Sequence, residues 1–278
     1  MPAIRLGLIG DNIAESKAAA LHRAAGRLCG LDVTYEHLVP RELSLKFDAV
    51  FDRAREQGFR GLNITFPYKE KVVRRLRIED ASVRMIAACN TVLFGAPEPV
   101  GANTDYTGFI AAFKNRYDAM APGVVAMAGC GGVGKAIGFA LARLGAGGLR
   151  LFDTDREKAE KLARAIAAEF PGTDIQVSAS IAQAGAGADG LVNATPLGMS
   201  GHGGSAVPEA LFDGPRWAFD AVYTPLDTPF MLGARAAGLS VMSGYELYFY
   251  QGIDAFALFT GLQVDPIGLR KAIEPNSA

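Results

Sequence analysis

The chain has 278 residues, half of them hydrophobic and 21% charged, with a formal net charge of -1. That composition argues against disorder, and the absence of a basic stripe argues against nucleic acid and anionic membrane as partners. No apolar run approaches the roughly 18 residues of a membrane span, and the length suits two domains.

The N-terminal segment is too short for a signal peptide and leads directly into a strand. Ile4 to Gly10 is apolar and strand-like, and the alanine-rich run that follows has Leu21, Ala25 and Leu28 at helical spacing. Residues 31–39 form the next strand, 43–57 a helix and 59–65 another strand. Pro67 breaks the chain and is expected to start a helix. A short helix near 81–87 precedes the strand NTVLFG, and 105–117 forms a connecting helix. The pattern then restarts: the strand VVAMA, a glycine turn and a helix, the strand GLRLF, and a charged amphipathic helix over 155–170. Further strands are expected at 188–192 and 218–222, and the chain from Gly244 onward is helical. Residues 198–206 form a glycine-rich loop, expected to be mobile. The βαβα alternation predicts an α/β protein with mainly parallel sheet. Cys29, Cys89 and Cys130 form no CxxC pair and are expected to be reduced, mostly buried thiols of a cytoplasmic protein.

The most informative local pattern is Gly129-Cys130-Gly131-Gly132-Val133-Gly134, a GxGxxG between a strand and a helix. Its first glycine permits a tight turn, its second lets the backbone approach a pyrophosphate, and its third lets helix and strand pack closely. The helix N-terminus offers unpaired N–H groups to phosphates. Asp153 closes the next strand, where a carboxylate bonds the ribose 2′-OH of NAD and repels the 2′-phosphate of NADP. Asp155 adds a second negative charge and Arg156 is the one neighbouring cation. NAD is therefore expected, with NADP less favoured. A helix-capping Asp153 is the structural alternative.

His22, His37 and His202 have no metal-ligand spacing, so structural or solvated histidines are expected and no metal is assigned. The polar constellation lies instead in NITFPYKE (Asn63, Thr65, Lys69), CNTVLF (Asn90, Thr91) and GANTDYTG (Asn103, Thr104, Asp105). Polar groups at strand ends facing a crevice are where α/β proteins hold ligands. Each has a plain alternative: Lys69 as a surface cation, Asn90 as a turn residue, Asp105 as a helix N-cap.

At these residues the chain resembles the shikimate/quinate dehydrogenase family. NITFPYK is similar to that family's N-V-T-x-P-x-K, CNTV to its V-N-T, and GANTDYTG to its G-x-N-T-D-x-x-G. NATPLGM, DAVYTPLDTPF and the stretch ending at Gln251 resemble further blocks, so the likeness runs nearly end to end. It implies a mainly parallel α/β substrate domain, 1–104 plus 240–278, and a Rossmann-type NAD-binding domain, 105–239. The ligands would meet in a cleft between them. It further implies reversible oxidation of a ring secondary alcohol of shikimate, quinate or aminoshikimate to the 3-keto form, as in aromatic amino acid biosynthesis. Lys69 and Asp105 would be the catalytic pair. Ser16, Thr65, Asn90, Tyr223 and Gln251 would contact a polyhydroxy carboxylate substrate. The glycine loop, Asp153, Thr195, Val222 and Gly244 would contact the cofactor.

Two blocks depart from the family. Its opening motif carries paired serines, where this chain has Ser16 and Ala18. Its NADP-using members carry Asn-Arg-Thr where this chain has Asp153-Thr154-Asp155. Both departures suggest a catabolic or secondary-metabolic paralogue. An alternative of another class is a non-catalytic regulatory protein binding NAD or a shikimate-like ligand, against which Lys69 and Asp105 argue. The oligomeric state is left open, a homodimer among the options.

Overall fold

The computed structural model describes residues 3–95 and 97–273. In chain order its elements are β1 (Ile4–Ile9), α1 (Ala18–Leu28), β2 (Val33–Leu38), α2 (Phe47–Glu56), β3 (Gly61–Ile64), α3 (Ala81–Ile86), β4 (Thr91–Leu93) and β5 (Val100–Ala102). Next come α4 (Thr104–Tyr117), β6 (Val124–Ala128), α5 (Gly132–Arg143), β7 (Gly148–Phe152), α6 (Arg156–Glu169), β8 (Asp174–Val177) and α7 (Ile181–Gly185). The last are β9 (Gly190–Asn193), β10 (Trp217–Asp220), α8 (Pro229–Ala236), β11 (Ser240–Ser243), α9 (Gly244–Thr260) and α10 (Pro266–Ile273).

The chain divides into two compact units, Met1–Thr104 with Gln251–Ala278, and Asp105–Tyr250. Strand β11 pairs with β10, which ties residues 240–243 to the sheet of the second unit. Residues 274–278 of the expected C-terminal segment lie outside the described residues.

The sheet of the first unit has the order β2-β1-β3-β4-β5. Strand β1 runs parallel to β2 and β3, while β4 runs antiparallel to β3 and β5. On α2, Phe47, Val50, Phe51 and Ala54 recur at helical spacing and pack with Ile9, Leu62, Ile64 and Val92 of the strands. Each such large apolar side chain contributes about 1.5–3 kcal/mol on burial.

In the second unit every strand pair is parallel, in the order β11-β10-β9-β6-β7-β8. Counted from β6, this is the doubly wound dinucleotide-fold order. Its central strands are buried on both faces, as in VVAMA, GLVN and WAFD. Polar side chains therefore collect where strands end: Asn193 closes β9 and Asp220 closes β10, both fully buried.

Several expected strand ends shift by one or two residues, the helical run expected from Gly244 onward is broken at residues 261–265 between α9 and α10, and two further expectations change. Residues 43–46 lie outside α2, in turns where the Leu43 and Leu45 N–H groups donate to the Val39 and Pro40 carbonyls. No helix begins at Pro67: Phe66–Pro67 is cis, Tyr68 N–H donates to the Thr65 carbonyl in a turn, and a short 3-10 segment begins only at Lys71.

His22 is 1% exposed. Its ring stacks on Tyr35 at 5.0 Å and lies against Phe256 and Phe259. Burial pushes its pKa from 6.5 down to about 4, with a hydrogen bond to Asn63 partly offsetting the shift. The unfolded chain therefore takes up this proton first as pH falls. The stabilisation is complete above 6.5 and is lost as pH drops towards about 4, a change of about 3 kcal/mol. Urea unfolding across this window should show a steeper acid loss of stability in the wild type than in His22→Gln. Parallel losses in the two proteins would contradict a buried neutral His22.

Candidate active site

In the first unit the β1–α1 and β3 loops are joined through the backbone. Thr65 N–H donates to the Ile9 carbonyl and Asp11 N–H to the Phe66 carbonyl. The Tyr68 hydroxyl donates to Asp11 Oδ1 at 2.7 Å. Burial and then the Asp11 carboxylate push the Tyr68 pKa up to about 12, so it remains a neutral donor. Lys69, half-buried, follows directly, and its carbonyl accepts from Cys89 N–H. Ser16 Oγ accepts from Ala18 N–H at 3.3 Å in the first turn of α1. Its own O–H remains a donor. Ala18 is buried.

Asn90 lies at the centre of a buried polar network. Its Oδ1 accepts from Thr104 N–H at 2.7 Å, and its Nδ2 donates to Thr104 Oγ1 at 3.0 Å and to Gln251 Oε1 at 3.4 Å. Thr104 Oγ1 also reaches Gln251 Oε1, at 3.3 Å. Behind it, Asn63 Nδ2 donates to Thr91 Oγ1, and Asn63 Oδ1 accepts from the Tyr35 hydroxyl at 2.8 Å. Thus Asn90 and Gln251, far apart in sequence, are brought together, and Asn63, Thr91 and Thr104 hold them. Full satisfaction of such a network fixes its geometry, since a buried unpaired polar group is costly.

In the second unit Asp105 sits inside the first turn of α4, not at its cap, and is buried. Gly129 follows β6 with φ 96°, a conformation that favours glycine. A Cβ on Gly134 would lie 2.1 Å from the Gly129 carbonyl oxygen, so strand and helix require glycine there. A Cβ on Gly131 would meet nothing within 4 Å. Packing therefore does not call for glycine at 131, whereas close approach of a phosphate does. Gly131 is the N-cap of α5 and adds no side-chain cap, so the first N–H groups of the helix, around Gly132 and Val133, have no capping side chain. These features fit a dinucleotide.

Asp153 follows β7. Its Oδ2 accepts from Cys130 N–H at 2.7 Å and its Oδ1 from Asp155 N–H at 2.9 Å. The carboxylate is thereby fixed against the glycine turn with lone pairs to spare, since it offers about four acceptor sites. The N-cap of α6 is Asp155, so Asp153 does not cap that helix. Arg156 is directed along α6 to Glu160 at 2.8 Å.

Thr195 N–H and Oγ1 both donate to Asn193 Oδ1, at 3.0 and 2.7 Å. Val222 N–H donates to Asp220 Oδ1 at 3.0 Å. Gly244 packs where a Cβ would lie 2.4 Å from the Ala221 carbonyl oxygen. Tyr223 stacks on Tyr248 at 5.2 Å. Burial raises the Asp220 carboxyl to about 6, while Thr228, Val222 N–H and Asn193 pull it back. Residues 198–206 contain no helix or strand and are closed by Gly198 N–H to the His202 carbonyl and His202 N–H to the Met199 carbonyl. Among the described residues no cluster of His, Cys, Asp and Glu could hold a metal, and no helix is long and apolar enough to cross a membrane.

Asn193 and Asp220 carried no assigned role in the sequence, although they open the NATPLGM and DAVYTPLDTPF blocks. A polar residue ending an apolar strand was the available signal.

Residues 8–92 match the family model for the shikimate dehydrogenase substrate binding domain. The chain is 37% identical over 270 residues to a shikimate dehydrogenase (NADP(+)) of Pseudarthrobacter chlorophenolicus, covering 95% of this chain and 92% of that protein. It is 36% identical over 272 residues to a quinate/shikimate dehydrogenase (NAD(+)) of Corynebacterium efficiens, covering 95% of each. Its fold superposes on a quinate dehydrogenase from Corynebacterium glutamicum in complex with NAD, with TM-score 0.87 and 34% identity, covering 97% of this chain and 98% of that one. The chain belongs to the shikimate/quinate dehydrogenase family of NAD(P)-dependent oxidoreductases acting on CH–OH groups.

Proposed function

We propose that this protein reversibly oxidises the ring secondary alcohol of shikimate or a close analogue, quinate or aminoshikimate, to the 3-keto form, with NAD preferred to NADP. The observation that carries the cofactor preference is the Asp153 carboxylate, fixed beside the glycine turn by two backbone N–H groups. A 2′-phosphate about 4 Å from it would meet a repulsion of roughly 1–4 kcal/mol, depending on screening. Arg156 offers little compensation, because it points along α6 to Glu160. Curated relatives of comparable identity carry both cofactor names, so the local charge at 153–155 is the discriminating feature.

When bound, oxidised nicotinamide supplies the hydride acceptor. Lys69 takes the proton of the reacting hydroxyl, and Asp105 orients the lysine and accepts from a substrate hydroxyl. Asn90 and Gln251, already joined through Thr104, hold ring hydroxyls together with Thr65. Ser16 and Tyr223 donate to the carboxylate, since each carries a hydroxyl. On the cofactor side, Gly129, Gly131, Gly132, Val133 and Gly134 cradle the pyrophosphate. Thr195, Val222 and Gly244 face the second nucleotide half. A small polyhydroxy carboxylate is the partner, and a cytoplasmic location accords with free Cys29, Cys89 and Cys130.

Asp153→Ala should raise KM for NAD and lower KM for NADP in steady-state assays. An unchanged NAD to NADP ratio would remove Asp153 from cofactor choice. Lys69→Ala should lower kcat by ~10²-fold or more, the usual size of a general acid/base contribution, while NAD affinity measured by titration stays constant. Near-normal kcat would remove Lys69 from proton transfer. A carboxylate wants several donors, and Ala18 supplies none from its side chain. Ala18→Ser should lower KM for shikimate by up to ~10-fold, equivalent to ~1.4 kcal/mol. An unchanged or raised KM would mean that the carboxylate does not contact position 18.

A further inference from the structure

The adjacent strands β9 and β10 end in the same device. Asn193 Oδ1 accepts from the N–H of Thr195, and Asp220 Oδ1 accepts from the N–H of Val222, each two residues on. The two devices are joined, because Asn193 Nδ2 donates to Asp220 Oδ1 at 2.9 Å. Asn193 Nδ2 also donates to the Leu197 carbonyl at 3.0 Å, and Asp220 Oδ2 accepts from the Thr228 hydroxyl at 2.6 Å. Thr228 in turn accepts from Met231 N–H and so caps α8. Asn193, Asp220 and Thr228 are each 0% exposed. None of them can therefore touch a ligand, yet they fix the backbone of both loops.

The order of the sheet says which part of a dinucleotide those loops serve. Strand β6 carries the glycine turn, with β7 and Asp153 on one side and β9 and β10 on the other. Ligands of such sheets lie across the carboxyl ends of the strands at this switch point. With the adenosine ribose at Asp153, the other half of the molecule extends over the ends of β9 and β10.

We propose that Asn193 and Asp220 are positioning residues for the nicotinamide half of the dinucleotide, acting through the loops that carry Thr195 and Val222. This rests on the dinucleotide reading of the second unit. The Asn193–Asp220 bond sets the spacing of the two loops, and the carboxylate and amide together leave no unpaired group at the joint. A network of this kind fixes one arrangement, because every alternative strands a buried acceptor or donor.

The test compares two probes, NAD and ADP, by calorimetric titration of the full-length protein. ADP engages the glycine turn and Asp153 but has nothing to place over β9 and β10. Asn193→Ala and Asp220→Ala should each weaken NAD by ~10-fold, the scale of one lost buried hydrogen bond, and leave ADP affinity within about twofold. Asp220→Asn keeps an acceptor for Val222 N–H and Asn193 and should retain NAD affinity within about threefold. Should either alanine variant fail to fold, Asn193→Ser, which is too short to reach Asp220, should show the same selective loss. Equal weakening of NAD and ADP would make the pair general scaffolding of the sheet and overturn the proposal, as would unchanged NAD affinity. A wild-type protein that bound neither probe would instead refute the dinucleotide reading itself.

Discussion

A sheet buried on both faces can present polar chemistry only where its strands end. In the second unit this constraint is met three times by one interaction: a side-chain oxygen just past or at the strand end accepts the N–H two residues on. Asp153, Asn193 and Asp220 each do so, after β7, β9 and β10. Such local bonds turn the chain sharply without leaving the amide unpaired. Asp153 also binds the glycine turn through Cys130 N–H, and Asn193 binds Asp220. The loops at the carboxyl edge are thus tied to one another and not merely adjacent.

The first unit solves the same problem with neutral groups. Asn90, Thr91, Thr104, Asn63 and Gln251, all neutral side chains, are hydrogen-bonded to one another. Lys69 and Ser16 lie on loops of the same unit that follow β3 and β1, the Lys69 carbonyl accepting from Cys89 N–H and Ser16 Oγ from Ala18 N–H. Amides and hydroxyls suit recognition of ring hydroxyls, because each can both donate and accept. The difference between the units follows their proposed ligands: a dinucleotide with phosphates and ribose diols on one, and a polyol on the other.

Much of this was legible in the sequence because the signals were local. Apolar runs gave β1, β6 and β7, helical spacing gave α1 and α6, and GxGxxG with Asp153 located the turn that the structure ties together through Cys130 N–H. What escaped was non-local or short. Strand β5 has only Val100, Gly101 and Ala102 and takes its identity from pairing with β4. Strand β8 alternates exposed and half-buried residues at the sheet edge, so it lacks an apolar run. The polar partners of Asn90 and Asp220 lie up to 161 positions away, and no spacing rule reaches that far. At Pro67 a residue preference for helix starts lost to a turn closed by Thr65 and Tyr68.

The most direct test is a panel of initial rates with shikimate, quinate and aminoshikimate, each run with NAD and with NADP, following formation of the reduced dinucleotide. The expected result is turnover of at least one of these alcohols, with kcat/KM higher for NAD than for NADP. Faster turnover with NADP at low concentration, or ligand binding without turnover of any of the three, would contradict it.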